Sequence, residues 1–303
     1  MDNKNDFRCG YVALIGKPNV GKSTLMNTLV GQKISIVTDK PQTTRHKILG
    51  ILSAEKFQII FLDTPGLLKP KYLLQSAMME ATHSAIADAD VVLYMIDALE
   101  PHMESNSDHY VAFKVLKNVG KPVYLIINKS DAIRKHQILP IIDYYSKKYN
   151  FVEIFPISAL QAEGTADLLK SVVEKLPIHP PYYPLDSLSD ANEKFFVSEI
   201  IREKIFEKFQ QEIPYSTTVE IIEFKERADK KDFVSAEIYV ERQSQKGILI
   251  GKNGAALKDV GESARLDIEK FLGRPVFLEM HVKVREKWRD SDAWLKRLGY
   301  KGN

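Results

Sequence analysis

From residue 11 to about 176, short apolar runs alternate with longer stretches whose apolar residues recur every three or four positions. The runs 11–15, 57–62, 91–96, 123–127 and 152–157 are apolar nearly throughout, the pattern of strands covered on both faces. Helical spacing marks 24–30, 75–87, 108–118, 138–149 and 165–175. This alternation predicts a mostly parallel, doubly wound α/β sheet. An extra run, 47–53, is joined to 57–62 only by Ala54, Glu55 and Lys56. So short a link permits a hairpin and no crossover, so one strand is expected to be antiparallel.

The pattern then breaks. Pro177, Pro180, Pro181 and Pro184, followed by Asp186-Ser187-Leu188-Ser189-Asp190, suit neither a helix nor a central strand. The expected division is a first domain over 1–176, a proline-rich linker over 177–192 and a second domain over 193–303. The second domain opens with an amphipathic helix, 193–211, carrying Phe196, Ile200, Ile201, Ile205 and Phe209 on one face. Strand-like runs 217–224 and 234–240 flank a charged turn, 227–232. After them come a glycine-bearing helical stretch to residue 271, a strand over 276–284 and a basic tail.

Composition narrows the class. The 303 residues are 44% hydrophobic and 27% charged, as in ordinary globular chains, and that length accommodates two domains. A net charge of +3 gives no global field for nucleic acid, so any such binding needs a local patch. The single cysteine, Cys9, excludes an internal disulfide, fits a reducing cytosol and reads as a small core residue beside the first strand. Residues 1–8 are polar and lack the apolar run of a signal peptide. No run of 18 apolar residues occurs. The expected location is cytoplasmic, with room for a peripheral fraction at the inner membrane.

The chemistry begins at Gly16-Lys17-Pro18-Asn19-Val20-Gly21-Lys22-Ser23, with Thr24 opening the next helix. The spacing G-x-x-x-x-G-K-S between a strand and a helix lets backbone N–H groups curl around phosphate, backed by the helix dipole. Lys22 can reach the β- and γ-phosphates, and Ser23 can hold Mg²⁺. Asp63-Thr64-Pro65-Gly66 ends a strand, where a carboxylate supports the metal through water and Gly66 offers its N–H to a γ-phosphate. Asn128-Lys129-Ser130-Asp131 ends another. Asp131 can accept two hydrogen bonds from guanine that adenine does not offer; Lys129 would lie over the base and Asn128 would brace the loop. Ser158, Ala159 and Leu160 can present a backbone N–H to the guanine O6. In Gln42-Thr43-Thr44-Arg45 a threonine, Thr44 in preference to Thr43, can complete the metal shell and order a switch. Each motif alone also reads as a polar turn, and their shared order is what singles out a guanine-nucleotide switch.

In the second domain, Gly251-Lys252-Asn253-Gly254 lies between Ile248-Leu249-Ile250 and a helical run from Ala255. Lys246, Lys252 and Lys258 accompany it with no acidic residue between 244 and 258, and Gly247 and Ile250 complete the candidate surface. A Gly-x-x-Gly loop allows close approach to about four nucleotides of a single strand. Within 281–303, Arg285, Lys287 and Arg289 surround Trp288, a pattern open to base stacking or to core packing of the indole.

These motifs together resemble the Era family of translation-factor-related GTPases, through both domains and through the closing Val282-Lys283-Val284-Arg285-Glu286-Lys287-Trp288-Arg289. The order helix, strand, strand, Gly-x-x-Gly helix pair, strand is similar to a type II KH domain. The resemblance implies GTP hydrolysis with Mg²⁺, in which Lys22, Thr44 and Gly66 take part. It also implies binding near the 3′ end of small-subunit ribosomal RNA, a role in small-subunit assembly and a peripheral membrane fraction; a monomer is expected. Leu67 and Leu68 stand where many GTPases carry the water-orienting glutamine, so slow intrinsic turnover is expected. Some relatives hold K⁺ through a P-loop asparagine, here Asn19. The rival readings are a nucleotide-gated RNA-binding module with hydrolysis as a slow reset, and a membrane-associated GTPase.

Overall fold

The computed structural model describes residues 6–101, 107–228 and 230–301, the side chains of 107–111 excepted. Asp229 of the charged turn and the last two residues of the basic tail lie outside that description. The chain forms two compact units. The first comprises Met1–Ser35, Thr44–Lys71 and Gln75–Asp190; the second comprises Ile36–Thr43, Tyr72–Leu74 and Ala191–Asn303.

The first unit is a six-stranded sheet in the order β2-β3-β1-β4-β5-β6. Its strands are β1 Arg8–Gly16, β2 Ile48–Ser53, β3 Phe57–Asp63, β4 Val91–Asp97, β5 Val123–Asn128 and β6 Ile154–Pro156. All pairings are parallel except β2 with β3, the expected hairpin. The helices are α1 Lys22–Val30, α2 Leu73–Asp88, α3 Ser107–Leu116, α4 Lys135–Ser146 and α5 Thr165–Lys175. Cys9, Ala13, Ile60, Val92, Tyr94 and Leu125 share one core cluster with Ile141 and Tyr145 of α4, which explains the unbroken apolar runs. The central strand β1 has β3 on one side and β4 on the other. The chain reverses direction across the sheet there, so the crevice beyond the carboxyl end of β1 is where ligands of such sheets sit.

The proline-rich stretch differs from a free linker. Pro177 accepts from Cys9 N–H, His179 N–H donates to Phe7, and Ile51 N–H of β2 donates to Leu188. Gln58, fully buried in β3, accepts from the N–H groups of Tyr182 and Tyr183 at 2.9 and 3.0 Å and donates to the Tyr183 carbonyl at 2.9 Å. The Ser189 hydroxyl donates to Leu49 at 2.6 Å. Prolines remove donors and stiffen the path, while the intervening residues find partners on the sheet. Through Asp190 this stretch is a strap on the first unit.

The second unit runs α6 Glu193–Lys208, α7 Ile213–Ser216, β7 Thr218–Lys225, β8 Asp232–Val240, α8 Gln243–Ile250, α9 Ala255–Leu272, β9 Val276–Val284 and α10 Asp292–Arg297. Its sheet order is β7-β8-β9, with β7 antiparallel and β9 parallel to β8. Asn192 caps α6 by accepting from Phe195 N–H at 2.9 Å. The expected helix over 193–211 stops at Lys208, and the short α7 follows. Val234, Ala236, Ile238 and Val240 alternate inward from β8 onto Val197, Ile201 and Ile205 of α6 and Val260, Ala264 and Ile268 of α9. The tail folds back as a turn and α10, so it is ordered structure over the described residues.

Candidate functional site

The loop Gly16–Ser23 leaves β1 at the sheet's direction-reversal point and enters α1, as its spacing requires. Lys22 is buried, with Nζ donating to the carbonyls of Gly16 at 3.3 Å and Lys17 at 2.9 Å. Burial pushes its ammonium down to about 8, and the neighbouring Asp63 charge opposes that fall. Val20 is buried, Lys17 and Pro18 partly so, and Asn19 is exposed with a left-handed φ of 64°. Thr24 lies in the first turn of α1.

Asp63 is fully buried at the end of β3. Its Oδ2 accepts from the hydroxyls of Ser23 at 2.6 Å, Ser35 at 2.8 Å and Thr44 at 3.4 Å. Ser23 and Thr44 hydroxyls stand 3.0 Å apart. The other carboxylate oxygen, Oδ1, is buried without a hydrogen-bond partner. Desolvation pushes this carboxyl up, and Ser23, Lys22, Ser35 and Thr44 pull it back. A buried oxygen with no donor beside two hydroxyls is a donor set suited to a hard, water-carrying cation. The residues present therefore fit Mg²⁺. Thr64 is pinned by its hydroxyl to Leu14 at 2.6 Å, and Pro65 accepts from Thr82. A Cβ on Gly66 would sit 2.5 Å from the backbone nitrogen of Pro18, so only glycine lets this turn meet the phosphate loop. Leu67 is buried, and its N–H donates to Gly16 at 2.9 Å.

Asn128 joins the remaining loops. Its Nδ2 donates to Val20 at 2.8 Å and its Oδ1 accepts from Ala159 N–H at 2.9 Å, so one buried amide braces the phosphate loop and the loop after β6. Lys129 pairs with Asp97 at 2.5 Å, and Asp131 is exposed. Ser158 and Ala159 are buried, while Leu160 is 76% exposed. Sequence reasoning missed four of these contributors: Asp97, Thr28, Asn27 and Ser35. Thr28 donates to the Ala159 carbonyl at 2.7 Å. Asn27 accepts from Ile34 and Ser35 N–H, each at 2.9 Å, and donates to Ser35 at 2.7 Å. A four-residue offset along α1 relates Ser23 to Asn27 and was the available signal.

In the second unit, Gly251, Lys252, Asn253 and Gly254 turn sharply between α8 and α9. Gly251 has φ 74° and ψ 178°, and a Cβ there would meet Ala256 at 2.7 Å, so glycine is obligatory. Lys252, Asn253 and Lys258 are exposed, Lys246 and Ile250 partly so, and Gly247 is exposed on α8. Beside the loop a groove of about 390 Å³ runs between α9 and β9, floored by Leu257, Gly261, Leu278 and Met280 and rimmed by Lys258, Glu262 and Arg265. A Cβ at Gly261 would press on the end of Met280, 2.8 Å away. The stacking expectation for Trp288 does not hold. The indole is fully buried, donates to Ser216 at 2.9 Å and stacks on Tyr300. Arg289 is tied to Glu241 and mostly buried, whereas Arg285 and Lys287 are exposed.

Comparisons with known proteins agree with this geometry. Residues 11–129 match the model of the 50S ribosome-binding GTPase family, and residues 212–289 match the KH domain. GTPase Era of Lactobacillus helveticus is 46% identical over 300 residues, covering 99% of this chain and 98% of that one. The chain belongs to the Era family of GTPases. Chloroplastic GTPase ERA1 of maize is 49% identical, with 98% of this chain aligned to 71% of the relative. A solved structure of an Aquifex aeolicus Era variant bound to GDP·AlF4⁻ superimposes with a TM-score of 0.93 at 40% identity, covering 97% of this chain and 99% of that one. Era in complex with MgGDPNP and nucleotides 1506–1542 of 16S ribosomal RNA matches with the same score, identity and coverage. The Era-family chain thus carries a P-loop GTPase domain followed by a type II KH domain, and it is a GTPase.

Proposed function

We propose that this GTPase is a Mg²⁺-dependent switch whose KH domain engages the 3′ region of small-subunit ribosomal RNA during assembly of that subunit. The observation that carries the reading is the pairing, in one chain, of the Asp63 hydroxyl cluster with the Gly251–Gly254 loop and its apolar groove. Its likeness over nearly the whole chain to an Era solved with both MgGDPNP and a 16S segment supports the substrate and the RNA.

In this reading Ser23, Thr44 and Asp63 would hold the Mg²⁺, Asp63 through water. The ion supplies positive charge to the β- and γ-phosphates. Lys22 turns from its loop carbonyls to the same phosphates, and the N–H of Gly66 meets the γ-phosphate. Asp131 selects guanine, Lys129 covers the base while held by Asp97, and the loop Ser158–Leu160, braced by Asn128 through the Ala159 N–H, offers a backbone N–H to O6. Leu67 is apolar and packed inward, so no side chain at that position orients water, and intrinsic turnover is slow. Asn19, exposed on the phosphate loop, is a K⁺ ligand in this scheme. A GTPase rate that is higher in K⁺ than in Na⁺ buffer supports that role, and equal rates remove it.

The KH groove takes unpaired bases over Leu257, Gly261 and Met280, with Lys252 and Lys258 at the phosphates. Crosslinking and sequencing of bound RNA in the GTP and GDP states tests the whole reading. Enrichment of the 16S 3′ end that changes with nucleotide is the expected result. Uniform recovery of unrelated RNA in both states would reject it.

A further inference from the structure

We propose that Ser35, clamped by Asn27 of α1, is a positioning residue that holds the Asp63 carboxylate for the metal, an inference that rests on the Mg²⁺ reading above. Three hydroxyls reach Asp63 Oδ2, and two of them, Ser23 and Thr44, are also candidate metal ligands. Ser35 is the third, 1% exposed and 2.8 Å from Oδ2. Its hydrogen bond fixes the carboxylate rotamer that leaves the buried Oδ1 as the open acceptor.

The hydroxyl is itself held. Asn27 makes three hydrogen bonds to the segment that carries it, two from Ile34 and Ser35 N–H and one to the Ser35 carbonyl. Asn27 lies four residues after Ser23 on the same helix, so α1 presents one donor to Asp63 directly and sets the other through the clamp. A rigid helix thereby fixes both donors on Oδ2 relative to the phosphate loop. Partners that orient a ligand of this kind change metal affinity on the order of 10-fold or more when removed.

The test uses the full chain, a fluorescent GDP analogue and a titration of free Mg²⁺. Wild type retains the nucleotide above a defined Mg²⁺ midpoint. Ser35→Ala is expected to raise that midpoint on the order of 10-fold while nucleotide affinity in excess chelator stays unchanged. Ser35→Thr, which keeps the hydroxyl, restores the wild-type midpoint, and Asn27→Ala moves it in the same direction as Ser35→Ala. An unchanged midpoint in Ser35→Ala, or an equal loss of affinity with and without Mg²⁺, would overturn the proposal. Ser35→Cys, a weak donor of similar size, carries the same readout should the alanine variant fail to fold. If wild type retains nucleotide independently of Mg²⁺, the metal reading of the site fails first, an outcome distinct from failure at Ser35.

Discussion

Asp131 and Trp288 show how far a single side chain can be judged from its neighbours in sequence. Asp131 stands exposed after β5, where its two oxygens are open to a base. Asp131→Asn replaces one acceptor with a donor. The lost hydrogen bond to a charged group is worth about 1.5–3 kcal/mol, so GTP affinity should fall about 10- to 100-fold. Xanthosine triphosphate, with a carbonyl where guanine has its amine, should gain in competition against a fluorescent nucleotide. Trp288 sits among basic residues that look like an RNA surface, yet the indole closes the core beneath Tyr300. Trp288→Ala should destabilise the second unit by about 3–5 kcal/mol in denaturant unfolding, with RNA binding retained by the folded fraction. The charges around Trp288 report the solvent side of its turn and say nothing of where the ring points. Ser35 was illegible for a related reason. Between Ile34 and Ile36 it reads as one polar position in a short apolar run, and its partner Asp63 lies 28 positions away.

Periodicity served elements better. Continuous apolar runs located all six strands of the first sheet, because strands covered on both faces have no polar alternation to confuse with helix. The strand ends were less visible: the expected strand over 152–157 narrows to Ile154–Pro156, although Val152 and Ile157 still donate their N–H groups to Val123 and Ile127 of β5. In the second unit the Gly-x-x-Gly turn gives a sharper test than its two glycines suggest. Gly251 occupies backbone space closed to other residues, so Gly251→Asp would distort the α8–α9 junction. Gly254 has φ 78° and open space around its Cβ, so Gly254→Asp costs about 1 kcal/mol in backbone strain. This variant should lose RNA in a filter-binding assay through its charge while GTPase activity stays at the wild-type level. The corner between α9 and β9 has its own pH dependence. Arg274 donates to Asp232 at the start of β8 and to Glu193 at the start of α6, and the bond to Arg274 holds the Asp232 carboxyl below its usual range. A carboxylate with a depressed folded pKa contributes stability above its unfolded value, about 4, and loses it as pH falls through the lower folded value. Wild type should therefore exceed Asp232→Asn in melting temperature at pH 6, and the gap should close as the pH drops below about 4.

At the scale of the molecule, the division into two units was readable from the prolines, but its course was not. The expected first domain stopped at 176, whereas the structure carries that unit to Asp190 and assigns Ile36–Thr43 and Tyr72–Leu74 to the second. Hydrogen bonds from a loop to a distant strand leave no mark in composition, so Pro177–Asp190 read as a spacer. Its docking on the sheet has a practical consequence for anyone dissecting the protein. Among the described residues no strand lies beyond β2, and Leu188 and Ser189 occupy backbone groups along that side. A fragment ending at Leu176 would uncover a ready template for strand addition and strand Gln58 as a buried amide without its Tyr182 and Tyr183 partners. Such a fragment should self-associate during size-exclusion chromatography, while one ending at Asp190 should elute as a single species. The same fourteen residues that look like a tether therefore act as the selvedge of the sheet, the finished border that keeps an open weave from catching on its neighbours.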